Sequence, residues 1–370
     1  MIEKSFFRGC GLSMKVSCVG SWRVLSAMAG SSADGLSTAL VTLYRTPQGW
    51  RYQLHVAHTT PYPSDLREAL KTAPHLSPKT LLRTSIAYTD WTGDIIRTLY
   101  SQSVYDLVVW HPHVIFHEPL HGLTWSLGDA ERLRVQIGKP VITHLRARDI
   151  ASGGTGAPLI PNADEKLFAA YETLLNLGGI ANLTHLPKSL GFDIAPCNQL
   201  LDALATQADP SLRYDPEGRL ARQGKLIPAL LGLFERHPFF AQPPPKALDN
   251  ETVQKDFVQP FLAYEASPID KIHTATHLIA NQLNRALCDV GARFFTCTGG
   301  GTHNVFLIEL LQAKAAALGI TYKKAPPDLV EYREAIGFAL LGLLRYLGED
   351  NTHGKWTGAC CTHSSGLASL

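Results

Sequence analysis

The sequence predicts a duplicated α/β fold with a cleft between its two copies. Three observations carry this reading. Residues 16–56 read as strand, glycine turn, strand, turn, strand, and residues 172–193 repeat that order with little identity. At 370 residues the chain is too long for one ordinary core. The glycine-rich loop Gly153-Gly154-Thr155-Gly156-Ala157-Pro158 divides it into domains 1–152 and 153–370, the last segment being able to pack back on the first.

In the first half, apolar β-branched residues mark strands at 16–28, 36–44 and 50–56, with turns at 30–35 and 46–49. Helical spacing follows at 65–72 and 85–100. The run YDLVVW (105–110) is a buried strand, 130–138 a helix ending at glycine, and 140–145 a further strand. In the second half, strands at 172–177, 181–186 and 190–193 surround Gly178-Gly179 and a turn at 187–189. Helix 198–207 comes next, and Pro243-Pro244-Pro245 interrupts the helices after it. An amphipathic stretch at 270–290, a strand at 293–297 and a long helix at 329–347 complete the pattern. That last helix carries Ile336, Leu340 and Leu343 or Leu344 as its stripe, and Pro326-Pro327-Asp328 signals its start.

A formal net charge of +2 gives no field that would draw nucleic acid or anionic lipid. No apolar run is long enough to span a bilayer, and the first residues lack the apolar core of a secretory signal. Seven cysteines, an odd number without CxxC, speak against a disulfide framework and for a reducing cytoplasm.

The chemistry-bearing residues gather at the turns. Gly30, Ser31, Ser32, Asp34 and Gly35 form either a hairpin turn or an anion-binding nest, in which Asp34 can hold a metal through water. Gly178 and Gly179 offer the same choice. Two such turns facing across a cleft would grip a nucleoside triphosphate from both sides. Gly299, Gly300 and Gly301, between a strand and a helix, let the backbone lie against a purine or ribose. His111 and His113 alternate on one strand face, but no acidic ligands accompany them, so contacts to a sugar fit better than zinc. Asp193 ends an apolar strand beside a cleft, where a carboxylate is either a general base or a helix N-cap; Asn198 can take the capping role instead.

Longer motifs occur in one order along nearly the whole chain. AMAGSSADG (27–35) resembles MSGTSxDG, HPHVIFHEP (111–119) resembles HGHTVxHxP, and RARDIASGGTGAPLIP (146–161) resembles FRxxDVAxGGQGAPLVP. NLGGIAN (176–182) is matched, GFDIAPCN (191–198) resembles GFDTGPxN, and residues 298–304 resemble CGGGxHN. Residues 331–342 resemble KEAxxFAxLG, and 357–366 resemble TGASxxHSGG. The chain is thus similar to the anhydro-N-acetylmuramic acid kinases, in the shorter form of some bacterial groups.

That resemblance implies duplicated actin-like, hexokinase-like ATPase domains of the ribonuclease H-like kind, and a homodimer. It implies that ATP and water convert 1,6-anhydro-N-acetylmuramic acid to N-acetylmuramic acid 6-phosphate, with Mg²⁺ on the phosphates. Asp193 would take the proton of the water attacking C1, and the freed O6 would accept the γ-phosphoryl. Gly30, Ser31, Ser32, Asp34, Gly35, Gly178 and Gly179 would hold phosphates. Gly299, Gly300, Gly301 and Asn304 would lie by the nucleoside, with Glu334 near the nucleotide. His111, His113, Arg146, Asp149, Gly154, Gly156 and Pro158 would face the sugar. Departures from the family pattern gather on that sugar side: Pro112, Val114, Ser126, His144, Leu145 and Thr155, with Ile194, Ala195 and Cys197 after Asp193. Two alternatives follow from them: a kinase of this fold for another anhydrosugar such as levoglucosan, or an inactive nucleotide-binding relative.

Overall fold

The structure is a computed structural model that describes residues 20–30, 35–244 and 246–370. It holds two main sheets. In the first half, β1 (Gly20–Ala29), β2 (Gly35–Thr46) and β3 (Gly49–Pro61) form an antiparallel meander. Helices α1 (Ser64–Thr72) and α2 (Pro78–Tyr100) lead to β4 (Leu107–His111), which lies parallel to β1. A small hairpin, β5 (Val114–Glu118) and β6 (Leu123–Ser126), precedes α3 (Ala130–Ile137) and β7 (Val141–Thr143), parallel to β4.

Helices α4 (Ala147–Ala151) and α5 (Pro161–Leu167) then join the halves. The second meander is β8 (Thr173–Leu177), β9 (Ile180–His185) and β10 (Leu190–Pro196), followed by α6 (Asn198–Ala208). After shorter helices come α7 (Pro268–Val290), β11 (Phe294–Thr298), α8 (Val305–Ala317), β12 (Thr321–Tyr322), α9 (Pro327–Tyr346) and β13 (Leu367–Ser369). The sheet orders are β13-β7-β4-β1-β2-β3 and β10-β9-β8-β11-β12. In each, an antiparallel meander is extended by two parallel strands on the side of its first strand. The repeat seen in the sequence is therefore a repeat of topology.

Alternating side chains build the core on both faces of the first sheet. Leu25, Leu40 and Val108 pack with Tyr88, Ile96 and Leu133 on the α2–α3 side. Their neighbours Val24, Val41 and Val109 pack against Ile336, Leu340 and Leu344 of α9 on the other. This covering of both faces is why β4 reads as an unbroken apolar run. Gly342 is needed where α9 meets the sheet, because a Cβ there would lie 2.2 Å from Val109. The second sheet and α6 and α7 share a separate core that includes Leu183, Ile194, Leu200 and Leu283.

Two expectations differ from what is observed. β10 does not stop at Asp193 but continues to Pro196, because a bulge between Asp193 and Ala195 lets the pairing resume. His111 and His113, expected on one strand face, separate: His111 ends β4, and His113 follows it into the link to the β5–β6 hairpin, which turns at Gly122 with φ +67°. Ser31, Ser32 and Asp34, residues 16–19 of the first expected strand, and Pro245 lie outside the described residues.

Candidate active site

The ends of β1 and β4 open on a cavity of about 480 Å³. It is lined from the first half by Gly30, Lys71, His111, His113, His117 and Arg146, and from the second by Asn250. His111 is almost fully buried, and its ring stacks on Phe338 of α9 with centroids 4.2 Å apart. Its Nε2 sits 3.4 Å from Arg146 Nη2. A guanidinium only donates, so Nε2 accepts and the ring is neutral. Burial, then the positive charge of Arg146, pushes His111 well below the usual histidine range. His113 is also lowered by burial, opposed by a hydrogen bond with the Gly30 backbone. The two histidines and Gly30 thus share one cavity wall.

Asp193 stands on β10, the edge strand of the second sheet. Phe192 and Ile194 turn into the core of the second half, so Asp193 and Gly191 share the opposite face of β10. That face meets the glycine-rich loop, since a Cβ on Gly191 would lie 3.3 Å from Pro158. Residues 246–248 clasp Asp193 from the side. Its N–H donates to the Lys246 carbonyl, and Oδ2 accepts from Leu248 N–H, both at 2.9 Å. Burial raises its pKa to about 6, against the lowering effect of the Leu248 hydrogen bond. A carboxylate so poised accepts a proton near neutral pH.

Asp193 does not cap α6, and neither does Asn198. The amides of Cys197, Asn198 and Gln199 donate to the carbonyls of Gly178 and Gly179 at 2.9–3.2 Å. The glycine turn itself caps the helix. In a planar trans peptide the N–H points opposite to the C=O, so the Gly179 N–H points away from α6. Asn198 Nδ2 instead donates to the Leu177 carbonyl at 3.1 Å.

The three glycines after β11 are not equivalent. Gly299 has φ +83°, and a Cβ on it would lie 2.6 Å from Asn176 Oδ1. Gly301 is buried, and a Cβ there would come within 2.7 Å of Leu177. Gly300 is exposed, with nothing closer than 3.9 Å to an added Cβ. Gly300 is therefore the one that offers open backbone to a ligand. Asn304, expected beside the nucleoside, is the N-cap of α8: its Oδ1 accepts from Leu307 N–H at 3.0 Å. Gly35, expected at a phosphate, is the first residue of β2, where a Cβ would lie 2.5 Å from the Thr60 carbonyl. Close strand approach explains that glycine.

Glu334 accepts from Asn176 Nδ2 at 3.4 Å, which brings α9 to the end of β8. Burial raises Glu334, while the charges of Arg333 and Arg146 oppose the shift. Glu334 and Phe338, one helical turn apart, present Arg146 and His111 with one face of α9.

Arg146 also donates to the Gly156 carbonyl at 2.6 Å. Asp149, expected to face the sugar, lies beneath the loop instead. It is fully buried, with Oδ2 accepting from Gly156 N–H and Oδ1 from Thr357 Oγ1, both at 2.7 Å. Gly154 covers it: a Cβ there would lie 2.3 Å from Asp149 Oδ2.

Sequence reasoning missed Lys71 and Asn250, which carry no motif. It also missed the buried pair of Arg333 with Asp164, in which Arg333 further reaches Thr298 Oγ1 at 3.4 Å. A buried arginine inside a helical stripe was the available signal, since such a residue requires a partner.

Two sheets that each extend an antiparallel meander by two parallel strands are the duplicated α/β fold of the actin-like, hexokinase-like ATPase class. The family described as anhydro-N-acetylmuramic acid kinase matches residues 22–368. The curated protein of that name from Idiomarina loihiensis is 33% identical, covering 86% of this chain and 91% of its own. Those from Cyanothece sp. and Neisseria meningitidis serogroup B are 32% and 31% identical, covering 91% and 86% of this chain and 96% and 90% of their own. The chain belongs to the anhydro-N-acetylmuramic acid kinase family.

Proposed function

We propose that the protein uses ATP and water to open 1,6-anhydro-N-acetylmuramic acid and phosphorylate it, giving N-acetylmuramic acid 6-phosphate and ADP. The observation that carries this reading is Asp193, a half-buried carboxylate whose pKa is raised to about 6, on the face of β10 that meets the glycine-rich loop. Asp193 takes a proton from the water whose oxygen bonds to C1. The C1–O6 bond breaks, and its electron pair stays on O6. O6 then bonds to the γ-phosphorus as the bond to ADP breaks.

The triphosphate lies between Gly30 and the Gly178–Gly179 turn, and the nucleoside lies along Gly300. His111 and Arg146, with the loop at Gly154, Gly156 and Pro158, receive the sugar. Mg²⁺ would neutralise charge on the phosphates, with Asp34 assigned to hold it. Among the described residues no helix is long and apolar enough to cross a membrane. We assign the enzyme to the cytoplasm, as a homodimer in the recycling of cell-wall sugars.

The test is ADP release coupled to a reporter, with the anhydrosugar as acceptor and levoglucosan beside it. Turnover is expected only on the muramic acid derivative, with ¹⁸O from labelled water at C1. No turnover in the native protein, or undiminished turnover in Asp193→Asn, would sink the reading.

A further inference from the structure

We infer that the segment from Asn351 to Ser365 is a strap that sets the shape of the sugar-facing loop, with Thr357 as its positioning residue. The inference rests on the substrate assignment proposed above.

The strap is closed on itself and anchored. Asn351 Nδ2 donates to the carbonyls of Leu341 and Ser365 at 2.9 Å, and its Oδ1 accepts from Ser365 N–H at 2.7 Å. Ser365 Oγ donates to the Leu145 carbonyl at 2.6 Å, fixing the strap beyond the end of β7. From there it reaches the loop at several points. The Thr357 carbonyl accepts from Thr155 N–H at 2.8 Å and from Thr155 Oγ1 at 3.0 Å. Cys360 N–H donates to the Ser152 carbonyl at 3.0 Å.

The decisive contact is the hydroxyl of Thr357 on Asp149. With Gly156 N–H it holds the two oxygens of a fully buried carboxylate, and His363 Nε2 stands 3.6 Å from the same Oδ1. Gly156 then accepts from Arg146, whose other nitrogen meets His111. A continuous series of polar contacts therefore runs from Thr357 through Asp149, Gly156 and Arg146 to His111, at the cavity wall. Removing its first donor leaves that carboxylate oxygen with only His363 near it, and Gly156, bonded to the other oxygen, is where the change reaches the loop.

Thr357→Val removes the hydroxyl at nearly constant volume. The KM for the anhydrosugar should rise about tenfold while the KM for ATP stays within twofold, and Thr357→Ser should restore the native value. Amide exchange at Thr155 and Gly156 should quicken in Thr357→Val and stay slow in Thr357→Ser. Thr155→Val, which removes the other side-chain hydroxyl bonded to the strap, should move the sugar KM in the same direction and serves if Thr357→Val does not fold. Unchanged loop exchange, or equal rises in both KM values, would overturn the inference. If the native protein does not turn over the sugar, the substrate assignment falls and the exchange measurement still decides the strap.

Discussion

The backbone N–H of Leu248 meets Oδ2 of Asp193 at 2.9 Å. This bond favours the ionised carboxylate, but burial outweighs it and the pKa settles at about 6. The base is therefore protonated, and idle, in mild acid. We expect kcat/KM to climb about tenfold per pH unit below about 6 and to level off above it. Burial and the charge of Arg146 push His111 well below the usual histidine range, away from that limb. A pH–rate profile flat from 4.5 to 7 would contradict the assignment.

The same shift has a stability consequence of opposite sense. Asp193 has a folded-state pKa above its unfolded value near 3.8, so its contribution to stability is fully present below about pH 4. That contribution is lost as pH rises through about 6, and the loss amounts to at most about 3 kcal/mol. Asn keeps an acceptor for Leu248 and carries no charge. Asp193→Asn should therefore unfold at a higher temperature than the native protein at pH 7.5 and lose most of that advantage at pH 4. Calorimetry at the two pH values checks this; an equal or lower Tm at pH 7.5 would count against a strained base.

Gly299 and Gly300 separate backbone strain from ligand contact. Gly299→Ala forces a Cβ against Asn176 at positive φ, and should cost about 1–3 kcal/mol of stability. Gly300→Ala meets open space and should leave Tm unchanged while raising the KM for ATP several-fold. Thermal melts with initial rates at varied ATP distinguish the two. A Gly300→Ala protein with native ATP kinetics would move the nucleoside elsewhere.

Much of the fold was legible because its strands are short apolar runs punctuated by glycine. The runs at 105–110 and 172–177, and the stripe through Ile336 and Leu340, correspond to β4, β8 and α9. Asp193 was legible as an acid ending an apolar run, but its rivalry with Asn198 for the helix cap was not resolvable. The cap is made by the carbonyls of Gly178 and Gly179, and carbonyls belong to every residue alike. Asn304 and Gly35 show the converse. Each sits inside a motif, yet local structure explains it, one as a helix cap and one as a close strand contact. Lys71 and Asn250 reach the cavity from distant parts of the chain, which no local pattern records.

The first sheet is completed by the last residues of the chain, with β13 on β7 and α9 over β1, β2 and β4. During synthesis the early strands therefore emerge long before the helix that covers them. At roughly 5–20 residues per second, that face waits on the order of 10–40 s. Until then Val24, Val41 and Val109 lack their cover, and an apolar sheet face stays open to association with other chains. A ribosome stalled shortly before residue 327 would release a first half that cannot close its own core.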